Sequence, residues 1–250
     1  MARLHANIGV GHENDVSIID SRIVAAAQCN VDAIVMNKST PVLTIPEEKK
    51  YVAIPSKWGT MPYIDVARRS ELTSKNATHI AELCEKIGIE LIWSVTDIEA
   101  LEFVLEYCKA QHIKLHSSCS EEDYQTIVPR TKNVCKTLYA RLNHLNIVKS
   151  YWNPVKHNLK LYHTTDNWDP DLIDINLEKI DKTRGLYRDY KIDVGYECKQ
   201  IGIFPTLAYG YKCDFIEKYL GDKENEERTI LTPPELYELW NSLSLMEQAL

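Results

Sequence analysis

The strongest constraint on how this 250-residue chain can fold is an alternation along its length. Short apolar runs at 4–10, 31–36, 89–94, 112–117, 133–137, 159–164, 191–195 and 213–217 read as buried parallel strands, which are covered on both faces and so favour unbroken apolar sequence. Amphipathic stretches of helical length occupy 16–29, 74–87, 97–109, 121–128, 138–150, 174–187, 200–210 and 233–248. The last opens on Pro233-Pro234-Glu235, and proline suits a first helical turn because its φ is preset and its missing N–H would have had no partner there. Strand followed by helix, repeated through the chain, predicts an α/β fold: a closed (β/α)₈ TIM barrel forming a single domain over 1–250. An open doubly wound sheet would carry the same alternation, because periodicity does not report closure.

The longest stretch without periodicity, 38–72, follows the second strand and contains Pro41, Pro46, Pro55, Pro62 and the run Lys57-Trp58-Gly59-Thr60-Met61-Pro62-Tyr63. In a barrel it is a βα loop over the C-terminal face, where active sites are built. Hydrophobic residues make up 44% of the chain, enough for a sizeable core, and the net charge of −7 with no basic stripe argues against nucleic acid as a partner. The start, Met1-Ala2-Arg3-Leu4-His5, lacks the apolar core of a signal peptide, and no stretch approaches the roughly 20 apolar residues that span a bilayer. A cytoplasmic protein without membrane contact is expected. Seven cysteines form an odd set without a CxxC pair, which points to reduced, mostly buried thiols.

Several segments, in order, resemble the catalytic barrel of the N-acetylneuraminate (sialic acid) synthase family. Ala6-Asn7-Ile8-Gly9-Val10-Gly11-His12-Glu13 resembles a first-strand motif E-I-G-x-N-H-x-G, and Asp32-Ala33-Ile34-Val35-Met36-Asn37 resembles D-A-V-K-F-Q. Lys57 to Tyr63, running on to Glu71-Leu72, is similar to W-G-x-M-x-Y, and Ile113-Lys114-Leu115-His116-Ser117 to K-I-x-S. Leu161-Tyr162-His163-Thr164 with Pro170 and Asn176-Leu177 follows L-H-C-T…Y-P…N-L. Val194-Gly195-Tyr196 falls where the family has V-G-x-S-D-H, and Ile216-Glu217-Lys218-Tyr219 where it has I-E-K-H. The family's usual C-terminal antifreeze-like domain is expected to be absent, since the eighth helix reaches Leu250.

The resemblance implies condensation of phosphoenolpyruvate with an N-acylated sugar, which needs cations for the phosphate and carboxylate, a divalent metal to polarise the aldehyde, and carboxylates for proton transfer. The two metal-binding histidines fall on Lys199 and Tyr219, a poor pair of ligands, so no metal or other cofactor is expected. Of two phosphoenolpyruvate-binding lysines one falls on Val35 and the other is Lys114, with Ser117 beside it; Lys38 could reach the same face or be a solvated loop lysine. Asp166 and Trp168 take the places of an asparagine and a tyrosine that touch phosphoenolpyruvate, Glu197 takes that of a serine, and Thr96, beyond the third strand, completes the candidate substrate-binding set. Cys119 and Cys198 stand where the family has acidic groups. His12 and Glu217 are the candidate catalytic residues, with a turn-stapling and an ion-pairing role as their plainer alternatives.

Three readings follow. The chain is an active synthase of the family's type, or a barrel with changed chemistry such as a metal-free lyase or aldolase on a sugar-like or phosphorylated ligand, or a non-catalytic protein. The last could act as a homodimer or as a partner of an active synthase. Replacement of dispersed catalytic groups alongside retained structural motifs favours loss of the metal-dependent condensation.

Overall fold

The structure, a computed structural model, describes residues 1–9, 11–152, 158–165, 170–190, 192–200, 202–221 and 230–249. Strands β1 (Arg3–Asn7), β2 (Ala33–Lys38), β3 (Glu90–Val95), β4 (His112–Leu115), β5 (Thr137–Arg141), β6 (Asn158–His163), β7 (Asp193–Glu197) and β8 (Phe215–Tyr219) pair in parallel with their sequence neighbours. β8 pairs back onto β1, Arg3 opposite Phe215 through Asn7 opposite Tyr219, so the sheet closes and the open-sheet alternative is ruled out.

Side chains alternate between the barrel axis and the helical layer, as the period of two in a strand requires. Ala33, Val35, Ile92, Tyr139, Tyr162 and Phe215 form an inner cluster, with the His5 ring stacked on Phe215 at 5.0 Å between centroids. Ile34, Met36, Trp93, Ile113 and Leu138 belong instead to the larger cluster that packs strands against helices. Gly195 shows how tightly the axis is filled, because a Cβ there would overlap the Phe215 ring.

Helix boundaries follow local chemistry. The helix Ile98–Cys108 starts at Asp97, whose carboxylate accepts from Ala100 N, and Ser120 and Asp123 form a reciprocal capping box for Glu121–Thr131. Gly88, at φ 81°, closes Ser74–Ile87 in the left-handed conformation that costs a residue without a Cβ nothing.

Most predicted strands lie within two or three residues of those observed, and one segment needs correction. The fifth strand is Thr137–Arg141, not 133–137, and the helix after it is Leu145–Tyr151 rather than 138–150. Val134 is exposed and Cys135 N bonds back to Thr131 O, so this end of the apolar run is a turn, while Thr137 to Arg141 are all buried. The stretch after β2 is also more ordered than its lack of periodicity suggests: short helices Pro41–Thr44 and Glu47–Lys50, a hairpin of Ala53–Ile54 with Met61–Pro62, and a helix Tyr63–Ser70. It is tied to the barrel by Thr40, whose N–H and hydroxyl both donate to the Asp97 carboxylate at 2.8 Å. Among the described residues no helix is long and apolar enough to cross a membrane.

Candidate functional site

Barrel closure brings β4, β7 and β8 to one place on the axis. Lys114 Nζ donates to Glu197 Oε2 at 2.9 Å and to Glu217 Oε1 at 2.7 Å, and sits 4.7 Å from the Tyr162 ring centre. All three charged residues are at most 2% exposed. Asn7 Nδ2 donates to Glu217 Oε1 at 2.8 Å, and the Tyr219 hydroxyl donates to Glu197 Oε1 at 3.3 Å. Every partner of the lysine is therefore itself held.

Burial drives the Lys114 amine down, but the two carboxylates outweigh it and hold it above the usual lysine range. Burial also drives Glu197 up, but Lys114, then Lys199 and His116, bring its carboxyl down to about 2. Glu217 moves the other way: burial and the neighbouring Glu197 charge together outweigh Lys114, and its carboxyl lies above the ordinary value. One cation shared by two carboxylates in a dry site shifts the pair unevenly, Glu197 down and Glu217 up.

The sequence offered a catalytic or an ion-pairing role for Glu217 and ligand-binding roles for Lys114 and Glu197, and the structure brings the three together as a closed ion-pair cluster. Ser117 joins at its edge, with Oγ 3.4 Å from Glu197 Oε1. Lys199 Nζ donates to Thr165 O at 2.9 Å, and Tyr219 is turned onto Glu197. A protonated amine and a phenol already held by a carboxylate do not fit a divalent cation, and among the described residues no group of three or more His, Cys, Asp or Glu side chains could hold one.

Beside the axis, under the segment that follows β2, lies a cavity of about 290 Å³. His12, 2% exposed, lines it; its Nδ1 accepts from Asn14 N–H at 3.0 Å, which leaves the ring proton on Nε2, and Nε2 has no hydrogen-bond partner. Burial, with Arg22 and Lys57 nearby, brings this imidazole down to about 4, so it is neutral near pH 7. Asn37 lines the same cavity; its Nδ2 donates to Asn7 Oδ1 at 3.3 Å and its Oδ1 is buried without a partner. His12 thus both staples its turn and offers a donor.

Lys38 corrects one expectation. It is the last residue of β2, on the side facing the helices, where it pairs with Glu71, donates to Ser39 O at 3.1 Å and lies 4.5 Å from the Phe103 ring centre. It is buried at 3% exposure, neither a solvated loop lysine nor a neighbour of Lys114, because strand parity turns it away from the axis. Thr96 likewise acts elsewhere: its hydroxyl donates to Asp97 at 2.8 Å and steadies the carboxylate that caps the next helix. Asp166 and Trp168 lie outside the described residues. Cys119 and Cys198 are buried thiols pushed up by burial, and all seven cysteines are free.

Two residues escaped the sequence reading. Arg141 ends β5, donates to Ser117 O at 2.9 Å and lines a polar cavity of about 270 Å³ with His163, Thr164 and Lys179; reading 138–150 as helix hid its place at a strand end. Asn37 was visible as part of a motif, but its orphaned acceptor depends on how residues 39–72 fold over it.

The NeuB family profile matches residues 22–250. The chain is 24% identical over 229 residues to N,N'-diacetyllegionaminic acid synthase from Legionella pneumophila, covering 86% of this chain and 62% of that protein. It is also 24% identical over 256 residues to human N-acetylneuraminate-9-phosphate synthase, covering 98% and 70%. The fold superposes on N-acetylneuraminic acid synthetase from Leptospira borgpetersenii with a TM-score of 0.79 at 18% identity, over 99% of this chain and 84% of that one. A truncated 3-deoxy-D-arabino-heptulosonate 7-phosphate synthase from Thermotoga maritima gives 0.65 at 10%, over 99% and 87%; at such identities the likeness is one of fold. With its profile matched over most of the length, and with the barrel closed as described, the chain belongs to the NeuB family.

Proposed function

We propose that this barrel has lost the metal-dependent condensation of phosphoenolpyruvate with an N-acyl sugar and acts as a non-catalytic or respecialised carbohydrate-related protein. The observation that carries the reading is the Lys114 cluster: the lysine at the place of a phosphoenolpyruvate-binding one is already paired with two buried carboxylates. A phosphoenolpyruvate anion entering there would meet Glu197 and Glu217 at least as closely as Lys114, and a buried cation cannot attract a ligand with charge that its own neighbours have offset. The donors at Lys199 and Tyr219 add to this, since neither suits a divalent ion. Asn7, where the family motif has a carboxylate, is engaged with Glu217.

The test is phosphate release from phosphoenolpyruvate in the presence of Mg²⁺ or Mn²⁺ and a panel of N-acylhexosamines. The proposal expects no release above that of a Lys114→Ala control. Sustained release that the control abolishes would overturn it.

A further inference from the structure

Residues 200–211 contain no charged side chain. They form the helix Phe204–Gly210 and its flanks, in the outer ring between β7 and β8. The inner side of this helix is accounted for, since Pro205 and Ala208 are buried and Ala208 belongs to the layer that packs strands against helices. Its outer side carries Ile203, Leu207 and Tyr211, spaced four apart and so on one stripe, at 66%, 43% and 41% exposure. A surface helix normally puts polar groups there, and one that is apolar all round belongs in an interior. Leu207 and Tyr211 form one wall of a groove of about 630 Å³, and the helix Leu172–Ile175 forms the other. Ile173 stands on that second wall at 85% exposure. Among the described residues lining the groove Glu178 is the one charged group, and Lys182 pairs with it at 2.9 Å.

We propose that this groove is the contact face of a two-fold dimer of the chain, with Ile173 of each copy entering the groove of the other and Leu207 and Tyr211 packing beside it. Two features single out a second copy as the occupant. Under a two-fold axis a patch meets itself, so like charges would face each other and a self-binding surface has to be neutral, whereas a partner of different sequence can be met by complementary charge. The same surface also carries both a projection, Ile173, and the recess that receives it, which is the self-complementarity such a contact requires. Its size agrees. Ile173, Ile203, Leu207 and Tyr211 together expose on the order of 500 Å² of side chain, at the upper end of what a monomer shows in one patch. A standard interface buries about 800 Å² per partner, about 65% of it apolar in homodimers, so these residues supply its apolar centre and the surrounding polar surface its rim. The face lies on the outer ring, away from Lys114 and the axis, and the dimer does not depend on the loss of condensation proposed above.

Sedimentation equilibrium of the full chain tests it. Interfaces of standard size bind at micromolar concentration or tighter, so the chain at about 50 µM should be a dimer. Leu207→Glu and Ile173→Glu each place a charge at the contact twice, once per copy, and each should raise the dimer dissociation constant about hundredfold or more. Both side chains are exposed in the single chain, so each variant should fold as wild type does, and circular dichroism of dilute samples checks that it has. Leu43→Glu, at an exposed apolar residue of the segment after β2, should leave the dimer unchanged. A monomer at that concentration, a dimer that neither groove variant weakens, or one that Leu43→Glu weakens as much would each overturn the assignment.

Discussion

Lys114→Met removes the cation that Glu197 and Glu217 share, in a site where both carboxylates are at most 2% exposed. In the native protein the amine lies 2.9 Å from Glu197 and 2.7 Å from Glu217. Breaking a buried ion pair by deleting one partner costs about 3–5 kcal/mol, chiefly because a charge is left buried without compensation. For a chain of this size that lowers the melting temperature by roughly 6–20 °C, at 2–4 °C per kcal/mol. The loss should depend on pH, and its sign is fixed. Without Lys114 both carboxyls are pushed up by burial and by each other, so the folded protein holds protons that the unfolded chain releases above its ordinary carboxyl range. Stability of the variant then falls as pH rises from that range toward neutrality, and the gap from wild type is wider at pH 8 than at pH 5. Urea unfolding of both proteins at the two pH values measures it, and adding Glu197→Gln and Glu217→Gln to the variant should recover much of the loss. A variant within about 1 kcal/mol of wild type at pH 8, or one equally destabilised at both pH values, would refute the buried cluster.

His12, held down at about 4 by burial, Arg22 and Lys57, favours the neutral ring in the fold. Its contribution is present above the unfolded value of 6.5 and is lost as pH falls toward 4, by on the order of 3 kcal/mol, and His12→Phe should flatten that part of the stability–pH curve. Gly195→Ala forces a methyl onto the Phe215 ring and should destabilise by about 1–3 kcal/mol in urea unfolding, with Gly195→Ala/Phe215→Leu recovering part of it. Asp97→Ala loses the cap of Ile98–Cys108 and the tether to Thr40; a loss of about 1–2 kcal/mol is expected, with faster hydrogen exchange in residues 39–50.

The barrel was legible because parallel strands covered on both faces leave unbroken apolar runs that need no knowledge of partners. The fifth strand was misplaced because Val134 and Cys135 extend its apolar run backwards into a turn, and composition does not mark where burial begins. Lys114, Glu197 and Glu217 could be picked out as charges near strand ends. Their pairing could not be settled, since it requires closure to bring β4 across to β7 and β8. Lys38 was legible in principle: it follows Met36 by two residues on β2, and that parity already sends it toward the helices. The orphaned atoms of His12 and Asn37 were out of reach, because their solitude depends on the fold of residues 39–72 above them.

The most direct test of the central claim is calorimetric titration of the wild-type chain with phosphoenolpyruvate, with and without Mn²⁺. An axis whose lysine is matched by Glu197 and Glu217 predicts no saturable binding up to millimolar ligand in either condition. Saturable binding that Mn²⁺ strengthens and Lys114→Ala removes would contradict it.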